Sequence, residues 1–359
     1  MLAGSCAAVF GAAFVLISLV NAWLFHVELS RVRDVIKTMT LPVDFKPILI
    51  PAYSRPEYLR QVLEAVTTAD GFGEVCEPGS VLSDASWHCR RASLPTAQTV
   101  VVVSQDGSNE GIRDLIDEYS VSSGCGGRVV RMWHTQPYLN IPQRFYRTDA
   151  PTSANVKYLL TLAMEYLEAS GAIVLESDIA PSPDFYRYFQ WAGHHLARDP
   201  HLAQRVFTVN GFHHDSKASN DLFTMTADRY GFMVWGWLCP AHSWPLIRDN
   251  WTWYHNWDIT MEYSIRRGVA GNEKVSLSPM VSRVRNIGMT GINFNIPDKA
   301  TQRRWLDLHV PAGPVKYKDE AGNWKPMTIE PHPLGPQAGK QPAGTRETLQ
   351  AIERVHEAP

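Results

Sequence analysis

The chain has 359 residues, 45% of them hydrophobic, and a formal net charge of −2. That length suits one large domain or two small ones. A balanced charge with no long basic stretch argues against nucleic acid as a partner. No Cys-x-x-Cys motif or Cys/His cluster argues for zinc, and the pairs His194-His195 and His213-His214 stand isolated.

From Leu2 to Phe25 there is no charged residue. Such a run is long enough to cross a bilayer, for which ~20 residues suffice. We read residues 1–26 as an uncleaved anchor. A cleaved signal peptide is the alternative, but its basic leader is missing and Val20-Asn21-Ala22 is only a tolerable cleavage site. Arg31, Arg33 and Lys37 follow the run and nothing basic precedes it, which by the positive-inside rule favours a cytoplasmic body. Residues 27–45 read as a short polar stem.

Ile48-Leu49-Ile50-Pro51-Ala52-Tyr53 is a buried-strand run closed by Ser54-Arg55-Pro56. Leu59, Val62, Leu63 and Val66 then repeat at helical spacing. Residues 70–97 read as an excursion loop. Cys76 and Cys89 lie in it, either as free thiols or as a short loop disulfide; Cys125 and Cys239 are the other cysteines of the body. A second strand, Thr99 to Val103, ends in Ser104-Gln105-Asp106-Gly107, and a helix over 109–120 leads to a third, Val129 to His134. A helix over 152–169 precedes Gly171-Ala172-Ile173-Val174-Leu175-Glu176-Ser177-Asp178. There a buried strand ends in two carboxylates. In open α/β sheets the carboxyl ends of strands are where ligands bind, and carboxylates attract hard cations that hold phosphates. A helix from Pro183 and a strand over Val206–Gly211 follow. Strand and helix alternate throughout, which predicts a parallel, doubly wound α/β sheet. No Gly-x-Gly-x-x-Gly and no P-loop is present, so a diphosphate has to be held another way.

The second half is different. Tyr230 to Leu238 is aromatic and glycine-rich, which admits a ligand or another backbone at close range. Trp251, Trp253, Trp257 and Asp258 follow, and Ser282 to Gly291 reads as a strand entering a glycine loop. Residues 311–331 read as an irregular covering segment, and 332–359 as a mobile tail with a short helix near 345–356.

The order of these motifs resembles that of the N-acetylglucosaminyltransferase I family, which includes the related O-mannose enzyme. The resemblance covers about 47–295 and rests on Ile50 to Arg55, Val103 to Gly107, Val174 to Asp178, Ala180 to Phe185, Gly236-Trp237-Leu238, Trp257-Asp258 and Ser282-Arg283. It implies a GT-A fold over 46–310, with a nucleotide half (46–180) and an acceptor half (181–310). It also implies a UDP-GlcNAc donor, Mn²⁺, and inverting transfer to mannose in a β1,2 linkage on a glycan or glycoprotein. The expected setting is a type II membrane protein with a lumenal Golgi domain. Arg55 and Asp106 match positions at the uridine end, and Asn155 stands where the family has a nucleoside-contacting His. Glu176 matches the acid that touches the sugar, and Asp178 the metal ligand. Ser177 replaces a second Asp near the ribose. Asp258 matches the catalytic base, and Asn293 falls where the family has a Ser near the diphosphate.

Each residue also has a plainer structural role open to it. Asp178 suits a helix cap and Glu176 a solvated loop end. Asp258 suits an N-cap, Asp106 an Asx-turn before Gly107, and Arg55 an exposed helix start. Trp235 and Trp237 suit either core packing or acceptor contact. A non-catalytic GT-A-like sugar-binding protein is the competing functional class, and another nucleotide sugar the competing donor.

Overall fold

Continuous runs of Val and Ile make the central strands, because a strand covered by helices on both faces has no polar side to show. The computed structural model describes residues 2–39, 41–42, 44–78, 87–91, 99–122, 127–134, 150–228, 231–251, 261, 274–288 and 315–331. The first half contains α1 (Leu2–Lys37), β1 (Ile48–Ala52), α2 (Pro56–Thr67), β2 (Glu74–Pro78), β3 (Trp87–Arg91), β4 (Thr99–Asp106), α3 (Glu110–Ser122) and β5 (Gly127–His134). Then come α4 (Ala150–Thr161), a π-helical turn (Leu162–Tyr166), β6 (Gly171–Val174), β7 (Ile179–Pro181), α5 (Phe185–Arg198), α6 (Pro200–Arg205) and β8 (Val206–Asn210). The remainder is β9 (Thr224–Asp228), β10 (Trp237–Pro240), α7 (Trp244–Asp249), β11 (Val275–Pro279), β12 (Val284–Asn286) and β13 (Thr328–Pro331).

Among the described residues nine strands form one sheet in the order β13-β9-β11-β8-β10-β6-β1-β4-β5. The fold is α/β with a large, mostly parallel sheet, as the alternation of elements predicts. The chain runs outward from β1 through β4 to β5, then returns to lay β6 on the other side of β1, all in parallel. That reversal makes a topological switch point between β1 and β6, where the two strand ends part and leave a crevice.

Two hydrophobic layers sandwich the sheet. On one face Ile48, Ile50, Val101 and Val103 pack with Leu59, Val62 and Leu63 of α2, Ile112 and Ile116 of α3, and the aromatic face of α5. On the other, Leu49, Val100, Val102 and Val130 pack with Val156, Leu159 and Leu160 of α4. The alternation of neighbours along β4 is the two-residue period of a strand.

Two expectations need correction, and one strand runs against the parallel pattern. Residues 27–45 are not a polar stem. They continue α1 to Lys37, and Leu29, Val32, Ile36, Met39 and Phe45 are buried in the second layer. The spacing 29, 32, 36 is a helical stripe, and it closes the core over β4, β5 and α4. The aromatic-glycine segment leads into β10, which enters the sheet antiparallel between β6 and β8. Residues 315–331 are not irregular throughout, because β13 pairs parallel with β9 at the sheet edge. Among the described residues no helix is long and apolar enough to cross a membrane. Most side chains in the first half of α1 lie outside the described residues, as does the predicted helix near 345–356.

The Gly236 backbone explains the entry of β10. Its φ is +66°, and a Cβ there would lie 2.8 Å from Val284 Cγ1. The Gly236 carbonyl accepts from the Gly211 N–H at 2.6 Å, and the Gly211 carbonyl accepts from the Arg283 N–H at 2.6 Å. The glycines admit another backbone, one of the two uses their flanking aromatics suggested.

Candidate active site

The crevice between β1 and β6 is bridged by an ion pair. Arg55 follows β1 as the residue before α2, and Pro56 at the first helical position fixes that start. Its Nη2 donates to Asp178 Oδ2 at 2.7 Å across 123 residues of sequence. β6 itself stops at Val174, so the acid-x-acid motif lies not in the strand but in the turn that leads to β7. That turn is fixed by Ile179 N–H donating to the Glu176 carbonyl at 3.1 Å.

Asp178 is positioned from a second side. β7 pairs antiparallel with β12, and the Ile287 N–H donates to the Asp178 carbonyl at 2.9 Å. The next residue, Gly288, has no side chain to put in the way. A Cβ there would sit 2.3 Å from Asp178 Oδ2. The Gly288 N–H is itself held by Asn286 Oδ1 at 2.7 Å. The glycine loop expected after Arg283 therefore begins against the acid.

A further polar group lines the neighbouring strand tips. Asp106 ends β4 and His134 ends β5, as Cα partners in the last rung of that ladder. Their side chains meet at 3.3 Å, Nδ1 to Oδ1, and are 1% and 5% exposed. Asn155, buried on α4, donates its amide to the Ser104 carbonyl at 3.2 Å. The predicted donor residues thus divide: Arg55, Glu176, Ser177 and Asp178 sit about the crevice between β1 and β6, and Asp106 and Asn155 gather behind β4. His134 was missed, because a lone histidine at a strand end looks like any packed side chain. Asp258, Asn293 and Trp257 lie outside the described residues. Trp237 is core, edge-on to Phe232 with ring centroids 5.1 Å apart, and Trp235 is half-buried against Phe212 at 4.7 Å.

A buried ion pair backs the crevice. Asp184 and Arg283 are both fully buried, with Arg283 Nε donating to Asp184 Oδ2 at 3.0 Å. Tyr317 donates its hydroxyl to the same oxygen at 2.7 Å. Arg283 also donates to the Leu222 carbonyl at 2.8 Å and lies over the Tyr188 ring. This network ties β12, and through it the Ile287–Gly288 contact, to α5. Burial pushes the Tyr317 and Tyr188 hydroxyls well above the usual phenol range, so both stay neutral donors.

Does this set fit a divalent cation? Among the described residues no three of His, Cys, Asp and Glu gather into a cluster. Of these residues Asp178, whose carboxylate stands at the crevice opposite Arg55, is the one that would hold a cation. Hard cations that act on nucleotides are held in that way, by one or two carboxylates plus phosphates and water. The absence of a side chain at Gly288 is what leaves room for the Asp178 carboxylate, which is 14% exposed and paired with Arg55. The residues fit.

Residues 91–295 match the GNT-I family model, more than half of the chain. The protein belongs to the GNT-I family. No curated protein sequence matches the chain. Distant structural likenesses include S. aureus TarS 1–349 (10% identity, 67% of this chain and 59% of that one, TM-score 0.37). Another is glucosyl-3-phosphoglycerate synthase from Mycobacterium tuberculosis with Mg²⁺ and uridine diphosphate (12% identity, 74% and 77%, TM-score 0.37). A third is an active-site mutant of LgtC (13% identity, 85% and 95%, TM-score 0.32). The chain spans 59% of the length of the TarS fragment. The assignment rests on the family match.

Proposed function

We propose that this GNT-I family protein has the GT-A fold and moves GlcNAc from UDP-GlcNAc to a mannose hydroxyl, with inversion and in a β1,2 linkage. The observation that supports it best is the Arg55–Asp178 pair across the switch-point crevice. That pair sets a guanidinium and a carboxylate at the switch point, the region where open α/β sheets bind their ligands. A divalent cation at Asp178, Mn²⁺ by family resemblance, would offset charge developing on the leaving diphosphate.

The chain's own residues do the rest. Arg55, released from Asp178 when phosphate oxygens compete for it, supplies a second positive group to the diphosphate. By the family resemblance Glu176 is assigned to the sugar, Ser177 to the ribose and Asn293 to the diphosphate. Asp106 and Asn155 hold the nucleoside. Asp258 takes the proton of the acceptor hydroxyl, a contribution of about 10²–10⁴-fold for a general base. Inversion needs no covalent nucleophile. The domain is lumenal in the Golgi membrane, carried by α1, on which Val15, Leu16, Leu19, Val20, Trp23, Leu24 and Val27 are exposed apolar side chains. Two of the cations that argue for a cytoplasmic body are paired locally, Arg31 with Glu28 and Arg33 with Asp34.

The test is release of UDP from UDP-GlcNAc with Mn²⁺ and a mannoside, for wild type, Asp178→Ala and Asp258→Ala. Both variants are expected to lose turnover by at least about 10²-fold. Unchanged turnover in Asp258→Ala removes the base assignment. A second reading, another nucleotide sugar on the same fold, draws on Ser177 and Asn155, where the chain departs from the family. Turnover seen only with a different donor in a screen would favour it.

A further inference from the structure

The excursion between α2 and β4 has a structure of its own that the transfer chemistry does not use. β2 and β3 pair antiparallel in a two-stranded sheet, separate from the nine-stranded one. A lone pair of strands is marginal in water unless something else holds it. Its base is held. The Gly73 N–H donates to Thr99 Oγ1 at 3.2 Å, which joins the residue before β2 to the first residue of β4. Just ahead, the Asp70 N–H donates to the Pro183 carbonyl at 2.7 Å. Thr99 opens β4 and Asp106 closes it, so the excursion is rooted at the end of that strand away from the proposed donor site.

The register then places two cysteines together. Cys76 is the direct partner of Cys89, with Glu74 opposite Arg91 on one side and Pro78 opposite Trp87 on the other. The strand period is two, so these three pairs share one face of the ribbon. Directly opposed residues of an antiparallel ladder have Cα atoms about 4.5 or 5.5 Å apart. A disulfide spans Cα atoms about 4.4–6.8 Å apart. A slip of one residue would put the two cysteines on opposite faces. Cys239 is the contrast. It is fully buried in β10, its thiol donates to the Pro240 carbonyl at 3.7 Å, and it is a free cysteine. Burial raises its pKa, so it stays a protonated, inert thiol.

We propose that Cys76 and Cys89 are joined by a disulfide that staples the β2–β3 ribbon. The two thiols give up two protons and two electrons as the S–S bond forms. The electrons pass by thiol–disulfide exchange to a small disulfide oxidant of the glutathione disulfide class, which leaves as two thiols. The bond closes a ring over residues 77–88 and removes open conformations of the excursion. It forms and persists in an oxidising compartment, so its presence also bears on which side of the membrane the body occupies. The inference is independent of the donor and acceptor proposed for the crevice.

Peptide mapping of the full-length protein, refolded with glutathione disulfide, tests this. The oxidised chain is denatured, alkylated without reductant, digested and weighed. The expected result is one linked peptide pair joining Cys76 to Cys89, lighter by two hydrogens than the free-thiol peptides, with Cys239 alkylated. Reduction before alkylation should abolish it. Limited proteolysis supplies the second measurement. Cleavage between residues 74 and 91 is expected to be at least about tenfold faster in the double variant Cys76→Ser, Cys89→Ser than in oxidised wild type. UDP affinity with Mn²⁺ should be the same in both. Full alkylation of Cys76 and Cys89 in the unreduced chain, or a link from either to Cys6, Cys125 or Cys239, would overturn the proposal. Equal cleavage of the double variant and oxidised wild type would overturn the staple. The linked peptide is read whether or not the protein binds UDP, so failure of the donor reading is seen separately.

Discussion

Asp178 is gripped at its carbonyl by Ile287, at its carboxylate by Arg55, and on its open side by the bare Cα of Gly288. A methyl group at 288 has nowhere to go except into the carboxylate. Gly288→Ala is therefore expected to displace Asp178 and cut turnover roughly 10²-fold, the usual scale for a misplacement of about 1 Å. Steady-state kinetics alongside a thermal melt checks this. Lost turnover with an unchanged melting temperature is the expected result, and wild-type turnover would show that the contact is slack. At this scale the sequence carried part of the site. A carboxylate motif after a buried run marked Glu176 and Asp178, and a polar strand tip marked Asp106. The partner of each was not legible. Arg55 reaches Asp178 only because β6 returns beside β1, and His134 meets Asp106 only because β5 pairs in register with β4.

Among elements, α1 contradicts its sequence reading most. Its charged residues suggest a solvated stem, yet its apolar stripe is an inner wall of the domain. Burial of Leu29, Val32, Ile36, Met39 and Phe45 contributes about 1.5–3 kcal/mol per side chain at most. The total is comparable to the whole stability of a typical domain, about 5–15 kcal/mol. A chain lacking residues 1–24 is expected to fold, and one lacking 1–45 is not. Circular dichroism melts of the two separate these outcomes, and a cooperative melt from the shorter chain would refute the docking. The Arg283–Asp184–Tyr317 network is a second such case. Removing one partner of a buried ion pair costs about 3–5 kcal/mol, so Asp184→Asn should lower stability by that amount. Tyr317→Phe should cost about 1–3 kcal/mol. Denaturant midpoints measure both. Ser282-Arg283 stood out as a motif, but Tyr317 lay in a stretch whose Pro and Gly content hid its packing.

The molecule as a whole shows how its covering segment ties stability to pH. Trp324 lies against His194 of α5, with ring centroids 5.2 Å apart. Burial, with the positive charges of Arg198, His195 and Lys318 added, pushes His194 down to about 4. His195 and His242 are lowered as well, chiefly by burial. A group depressed in the folded state takes its proton first in the unfolded chain. Its contribution is therefore complete above about pH 6.5, the unperturbed value for histidine, and is lost as pH falls toward 4. The loss for His194 is at most about 3 kcal/mol. Melting temperatures between pH 7 and 4 should fall less steeply in His194→Gln than in wild type, and equal slopes would contradict the account. The α/β class and the parallel first half were legible, because buried strands and amphipathic helices leave opposite periodicities. The antiparallel insertion of β10 was not, since it depends on Gly236 and Gly211 meeting through their backbones.

The proposed function has Asp178 and a donor diphosphate share one cation at the β1–β6 crevice. Calorimetric titration of UDP with and without Mn²⁺, into wild type and Asp178→Asn, tests that most directly. The account predicts that Mn²⁺ tightens UDP binding by about 10²-fold in wild type and barely at all in Asp178→Asn. UDP binding that ignores Mn²⁺ in wild type, or a full Mn²⁺ response in Asp178→Asn, would contradict it.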